Sequence, residues 1–174
     1  AFAAWLGGSI TLLSDGRRGL ALGIALVGAG LAALGLAAGQ EVAAVAILAG
    51  GVAAAVLRLR SGPPGWGLMP AGSTPRLILT VVVGLVSLWT AVAVTGGAGA
   101  ELRFAVLASM VLLVARLLQG GEPAVSMTAA SGIALALGAG TLQAPRTAPE
   151  AACIVAALVA AGLQALPRRE ADGA

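Results

Sequence analysis

The chain has 174 residues, of which 59% are apolar and only 10% are charged, and its mean hydropathy is +1.01. A soluble domain carries about a quarter of its residues as charged groups, so this composition predicts an integral membrane protein. The net charge of +3 rests on ten basic residues, all of them Arg. Because they are scattered, they exclude the clustered basic face of a nucleic-acid-binding protein.

The chain has few side chains that could bind a metal ion or a cofactor. The chain has no His and a single Cys, Cys153, inside an apolar run. No disulfide framework is possible, and Cys153 is expected to be a small buried hydrophobic residue. The carboxylates are spread singly along the chain, which argues against a zinc or transition-metal site. We therefore expect no catalytic residue, no metal and no cofactor, and the chain is not predicted to be an enzyme.

Seven apolar runs predict an all-α fold, a polytopic transmembrane bundle of about seven helices. The first run lacks the basic start of a secretory signal and is interpreted as a spanning segment. Three runs (42–57, 104–119 and 151–166) are close to the shortest length that crosses a bilayer. In chain order, the seven runs cover residues 1–14, 19–39, 42–57, 77–98, 104–119, 123–143 and 151–166.

The connections between the runs differ in their Arg content, and this difference predicts the topology. Two Arg, Arg103 and Arg146, lie in one set of connections, and eight lie in or beside the other set. Because cytoplasmic loops carry an excess of basic residues, the N-terminus is predicted outside and the C-terminus in the cytoplasm, in a bacterial-type inner membrane. The eight are Arg17, Arg18, Arg58, Arg60, Arg76, Arg116, Arg168 and Arg169.

A repeated order of elements predicts one membrane domain over residues 1–174. Residues 1–18 form the first helix and a basic turn, and three hairpin repeats follow at 19–60, 76–120 and 123–169. The first two repeats share a basic start, a long helix, a Gly-rich turn with a Glu, a short returning helix and an Arg, and the third follows the same order. Residues 170–174 are predicted to be a cytoplasmic tail.

Three carboxylates, Glu41, Glu101 and Glu150, mark the tips of the three hairpins. Each lies where the returning helix begins, and a carboxylate there interacts favourably with the helix dipole and with free N–H groups. We therefore interpret them as turn and cap acids. The alternative is that they are vestibule acids that gather cations at the outer surface.

The helix interiors offer hydroxyls and one amide rather than ionisable groups. Thr128 and Ser131 are the candidate polar interior positions, and they belong to a set that also contains Thr11, Thr80, Ser87, Thr90, Ser109, Ser126 and Gln164. None of these side chains carries a charge, so none is suited to a proton or sodium pathway. Arg116, in the last turn of its helix, is expected to extend its guanidinium to the cytoplasmic surface.

The loop 58–76 is the longest predicted on the cytoplasmic side, and its four prolines stiffen it. It carries Trp66 and Met69, and Trp66 is expected at the membrane interface. The loop either docks a partner or simply links the first hairpin to the second.

From Glu101 onward the order of elements resembles the small three-helix membrane subunit of respiratory complex I. It is similar also to the larger E-type membrane subunit of group 4, formate hydrogenlyase-like hydrogenases, which contains that unit. The run AVSMTAASGIALAL at 124–137 resembles the second helix of the unit, Met-Glu-Asn-x-x-x-Leu-x-Leu, with Met127 and Leu135 in place. The resemblance implies seven helices and an outside N-terminus. The family's buried carboxylate falls on Thr128, which implies that this chain lacks the proton-handling group.

These observations predict a non-catalytic accessory subunit of a multi-subunit energy-transducing membrane complex, respiratory or hydrogenase-type. The expected partners are other integral membrane subunits and lipids, and no nucleic acid. The alternative is a small hairpin-repeat transporter of a neutral or apolar solute. Convergence of the interior hydroxyls on one cavity would favour the transporter, and their scatter over separate interfaces would favour the subunit.

Overall fold

The structure is a computed structural model that describes residues 1–61, 64–67, 74–94, 96–120, 122–144 and 148–166. Within the fourth helix, the side chains at positions 75, 76, 79 and 94 are outside this description. Met69, Arg146, Arg168, Arg169 and the predicted tail 170–174 also lie outside the described residues.

Seven α-helices make up the described chain, so the all-α prediction with seven helices is confirmed. They are α1 Phe2–Leu13, α2 Arg17–Ala37, α3 Glu41–Leu59, α4 Thr74–Val94, α5 Ala100–Leu118, α6 Pro123–Gly140 and α7 Pro149–Ala165, with a short 3₁₀ turn at Thr141–Gln143 after α6. Three segments are long and apolar enough to cross a membrane, namely Arg17–Ala37, Glu41–Leu59 and Pro123–Gln143. At 1.5 Å per residue, the 12 residues of α1 span about 18 Å.

Helix ends differ from the predicted ones where charged residues join a helix. The predicted run 104–119 begins instead at Ala100, so Glu101 and Arg103 belong to α5. Glycines in the left-handed region end two of the helices: Gly39 after α2 has a φ of 74°, and Gly120 after α5 has a φ of 65°. A glycine there lets the chain turn away without a Cβ clash.

Six helices form a closed ring, and α4 lies outside it. The ring order is α1, α2, α3, α7, α6 and α5, with α5 returning to α1 and with α2 touching α6 across the middle. The two helices of each predicted hairpin contact one another. Helix α4 packs mainly on α5 and touches α1.

The two ends of the bundle carry opposite charges, and we name them by those charges. The basic end holds the start of α2 and the ends of α3 and α5, with Arg17, Arg18, Arg58, Arg60 and Arg116. The glutamate end holds the first turns of α3, α5 and α7, with Glu41, Glu101 and Glu150.

Small residues let α1, α2 and α3 approach closely, as the Gly and Ala spacing of membrane helices allows. A Cβ built on Gly28 would lie 3.0 Å from the Cα of Gly51, and the reverse distance is the same. A Cβ on Gly7 would lie 2.6 Å from the carbonyl oxygen of Gly23 and 2.6 Å from the backbone nitrogen of Val27. These contacts are backbone against backbone, so a side chain has no room to move aside.

Helix α4 turns one narrow face of small and polar side chains toward the bundle. Thr80, Ser87 and Ala91 are buried against the bundle, whereas Trp89 is 74% exposed. The outward side chains of α4 are bulky and apolar, and they include Leu77, Ile78, Val81, Val82, Leu85, Val86, Leu88 and Val92. An apolar solvent or a protein neighbour, rather than water, suits such a surface.

Replacement of Gly7 by Ala tests the close approach of α1 and α2. The added methyl would meet fixed backbone atoms, and overpacking of this kind costs about 1–3 kcal/mol. The control is Gly162→Ala in α7, where a Cβ meets nothing within 4 Å and the gain in helix propensity is up to about 1 kcal/mol. The thermal midpoint in detergent should fall for Gly7→Ala and should not fall for Gly162→Ala. If the thermal midpoints of the two variants moved in the same direction, this would contradict the close packing of α1 on α2.

Candidate functional site

Buried polar side chains are the candidates for function in a chain with so few charges. Within the described ranges they are spread over six helices and the turn after α1. They are Thr11, Ser14, Arg58, Thr80, Ser87, Ser109, Arg116, Thr128, Ser131 and Gln164.

The two predicted polar interior positions lie together between α6 and α7, and the structure adds Gln164 to them. The amide of Gln164 donates from Nε2 to Ser131 Oγ at 3.1 Å and to Thr128 Oγ1 at 3.4 Å. Ser131 donates to the carbonyl of Ala160 on the facing helix at 2.9 Å, and Thr128 donates to the carbonyl of Ala124 at 2.8 Å. This α6–α7 polar cluster holds the third hairpin together near its basic end.

The chemistry of the α6–α7 polar cluster is neutral. Two hydroxyls and an amide donate and accept hydrogen bonds, and none of them changes charge near neutral pH. Gln164 is 6% exposed, and its Oε1 accepts no hydrogen bond from the described residues. The cluster therefore binds helix to helix and offers no acid or base for proton transfer.

A signal for the pairing of Thr128 with Gln164 was present in the sequence. The two residues lie 18 positions before and after residue 146, which is inside the predicted turn of the third hairpin. Residues at equal distances from the turn of an antiparallel hairpin lie at the same level. The predicted hairpin therefore already implies that Thr128 and Gln164 lie opposite each other.

Arg116 does not extend its guanidinium to the surface as expected. Its side chain has 0% exposure and forms an ion pair with Asp15 in the turn between α1 and α2. The guanidinium also donates to Gln119 Oε1 at 3.1 Å and to the Ser14 carbonyl at 3.4 Å. The expectation was wrong because a counter-charge lies inside the end of the bundle, 101 residues earlier in the sequence, where sequence reasoning gave no sign of it.

The last turn of each returning helix buries one long polar side chain. The segments VLRLRSG, VARLLQG and GLQALPR align Arg58 of α3, Arg116 of α5 and Gln164 of α7. All three side chains are buried, and Arg58 donates to the Ser61 carbonyl at 3.2 Å. The third hairpin therefore has a neutral amide where the first two have a cation.

The three glutamates lie where the predicted turns place them. Glu41, Glu101 and Glu150 are each in the first turn of a returning helix and are exposed. The residues at the N-cap positions, Gln40, Gly99 and Ala148, make no side-chain capping hydrogen bond.

One cavity at the glutamate end, of about 480 Å³, lies between the end of α2 and the start of α5. Glu101 and Gln143 line it, whereas Glu41 and Glu150 do not. Gln143 donates to the Gly99 carbonyl at 2.7 Å and accepts from Arg103 at 3.1 Å. The polar atoms of Gln143 that line the cavity are therefore used to hold the 3₁₀ turn against the start of α5.

Three hydroxyls of α4 and α5 bond to their own helices. Ser87 donates to the Gly84 carbonyl at 2.8 Å, Thr90 to that of Val86, and Ser109 to that of Ala105. None of the three joins the α6–α7 polar cluster. Among the described residues no group of three or more His, Cys, Asp or Glu side chains is arranged to hold a metal ion.

In comparisons with known proteins, no protein-family model, no curated protein and no solved structure matches the chain.

A double-mutant cycle tests the α6–α7 polar cluster. Ser131→Ala and Gln164→Leu should be coupled by about 0.6 kcal/mol and by no more than about 1.7 kcal/mol, the range for hydrogen bonds between membrane helices. The free energy of unfolding in detergent or bicelles is the quantity measured. The matched control pairs Gln164→Leu with Ser109→Ala, whose hydroxyl bonds within α5. Coupling of equal size in both cycles would show that Ser131 and Gln164 do not interact directly.

Proposed function

We propose that this chain is a non-catalytic integral membrane subunit of a multi-subunit energy-transducing complex. Its helices cross a bacterial-type inner membrane with the basic end in the cytoplasm and the glutamate end outside. Its work is to pack against neighbouring subunits and to seal the bilayer between them.

The observation that carries the proposal is the distribution of polar and apolar groups. Large apolar side chains face outward on several helices, whereas the buried hydroxyls of Ser109, Thr128 and Ser131 bond to backbone carbonyls inside the bundle. A pump or channel subunit instead carries ionisable side chains at depth or a polar path across the membrane. The described helices supply packing surfaces and no such path.

The scatter of the hydroxyls supports the subunit over a transporter. A transporter of this size needs a site near the middle of the membrane, usually at an interrupted helix. Here Ser87 bonds within α4 and Ser109 within α5, and neither joins the α6–α7 polar cluster. The cavity of about 480 Å³ is at one end of the bundle.

Thr128 is the position at which this chain departs from the complex I-like membrane subunits that it resembles. In that family a carboxylate would stand at this position. Here the Thr128 hydroxyl donates to the Ala124 carbonyl and accepts from Gln164, so its hydrogen-bonding needs are met within the hairpin. A protein that keeps the helix order of such a subunit but has this neutral contact is suited to a structural place in the assembly.

Isolation of the chain from its native membrane tests the proposal. The chain, tagged at its natural locus and extracted in a mild detergent, should migrate well above its mass of 16.7 kDa and should bring other integral membrane proteins with it at fixed ratios. Migration as a single chain with no stable partner would contradict the proposal, and so would solute transport by the purified chain in vesicles.

The outward face of α4 provides the matched variants for this experiment. Leu85→Ala with Trp89→Ala removes two bulky exposed side chains from the helix that lies outside the ring. The recovery of partners should fall for this variant and should be unchanged for Leu158→Ala on α7, which is also exposed.

A further inference from the structure

A short segment after α3 is fastened to the turn between α1 and α2. The backbone N–H of Asp15 donates to the Gly67 carbonyl, and that of Arg18 donates to the Gly65 carbonyl, both at 3.1 Å. The backbone of Trp66 is thereby held beside the first turn of α2, while its side chain stays 49% exposed. The indole is thus presented at the basic end by a fixed backbone.

Three arginines lie at the level of the first turn of α2. Arg17 is partly exposed and Arg18 is exposed. Gly28 lies opposite Gly51 in the α2–α3 hairpin, and this register brings Arg60, which is exposed, level with the first turn of α2.

No counter-charge from the described chain neutralises this group. None of the guanidiniums of Arg17, Arg18 and Arg60 forms an ion pair or hydrogen bond with the described residues. Asp15, the adjacent acid, is bound by Arg116 on the inner side. The three cations are therefore not neutralised by the described residues, and they lie at the same end of the bundle as Trp66.

Apolar side chains continue from the arginines along the same helix faces. Leu22 lies one turn after Arg18 and is 41% exposed, and Val56 lies one turn before Arg60 and is 42% exposed. Residues four apart on a helix share a face. Each exposed cation is therefore followed, toward the middle of the bundle, by an exposed apolar side chain.

We propose that Arg17, Arg18, Arg60 and Trp66 form a binding site for the headgroup of an anionic phospholipid, with its acyl chains along Leu22 and Val56. The proposal rests on the membrane orientation given under the proposed function. Guanidinium groups bind phosphate oxygens through paired hydrogen bonds, and Trp favours the level of the headgroups. The apolar path beyond the cations selects a lipid over free phosphate, because free phosphate has nothing to place there.

Quenching of Trp66 fluorescence tests the site in the full chain. Trp5→Phe with Trp89→Phe leaves Trp66 as the sole indole. This protein is reconstituted in phosphatidylcholine vesicles that contain increasing fractions of brominated phosphatidylglycerol or of brominated phosphatidylcholine. Half-maximal quenching should need several-fold less of the anionic lipid. Because each basic residue near an anionic surface contributes a factor of about five, Arg18→Gln should raise the required fraction by about fivefold.

The control is Arg103→Gln at the glutamate end, which changes the net charge equally and should leave the quenching curve unchanged. Equal quenching by the two lipids would overturn the headgroup site and leave the membrane orientation intact. Loss of the preference on adding inorganic phosphate, but not chloride of equal ionic strength, would show a site for free phosphate and would also overturn the proposal. Trp66 that neither lipid quenches would instead contradict the membrane orientation itself.

Discussion

The buried guanidinium of Arg116 sets the strictest physical constraint on this structure. A cation with 0% exposure is costly unless an anion and hydrogen-bond acceptors lie beside it. Asp15, Gln119 and the Ser14 carbonyl supply them. Because Asp15 lies in the turn between α1 and α2, the ion pair fixes that turn against the end of α5 and closes the ring where α1 meets α5.

The rest of the basic end is built on this closed turn. The same turn donates two backbone hydrogen bonds to the segment 65–67, and these bonds hold the backbone of Trp66 beside the start of α2. Since Arg116 engages Asp15, the neighbouring Arg17 and Arg18 are left as uncompensated cations among the described residues. One internal ion pair therefore governs both the packing of the bundle and the charge of the surface that we propose faces anionic lipid.

Much of the fold was predictable because its signals are local. Gly39 and Gly120 end helices, Pro123 and Pro149 begin them, and the apolar runs between these residues have helical lengths. That Thr128 and Gln164 lie at the same level also follows from the predicted position of the turn in the third hairpin. Orientation was harder, because a helix that is apolar all round has no distinct inward face, and so the inward side of α4 at Ser87 and Ala91 could not be read from its pattern. The partner of Arg116 is remote in sequence, and no local rule points to Asp15.

The most direct test of these relations is a double-mutant cycle on Asp15 and Arg116, with the free energy of unfolding and the emission of Trp66 measured together. Removing one partner of a buried ion pair costs about 3–5 kcal/mol, somewhat less here because the Asp15 side chain is 36% exposed. Asp15→Asn and Arg116→Gln should each destabilise the protein by about 2–4 kcal/mol and shift the Trp66 emission. The double variant should lose much less than the sum, whereas Arg18→Gln should change stability by less than about 0.5 kcal/mol. Additive losses, with Trp66 emission unchanged in every variant, would contradict the role given to this ion pair.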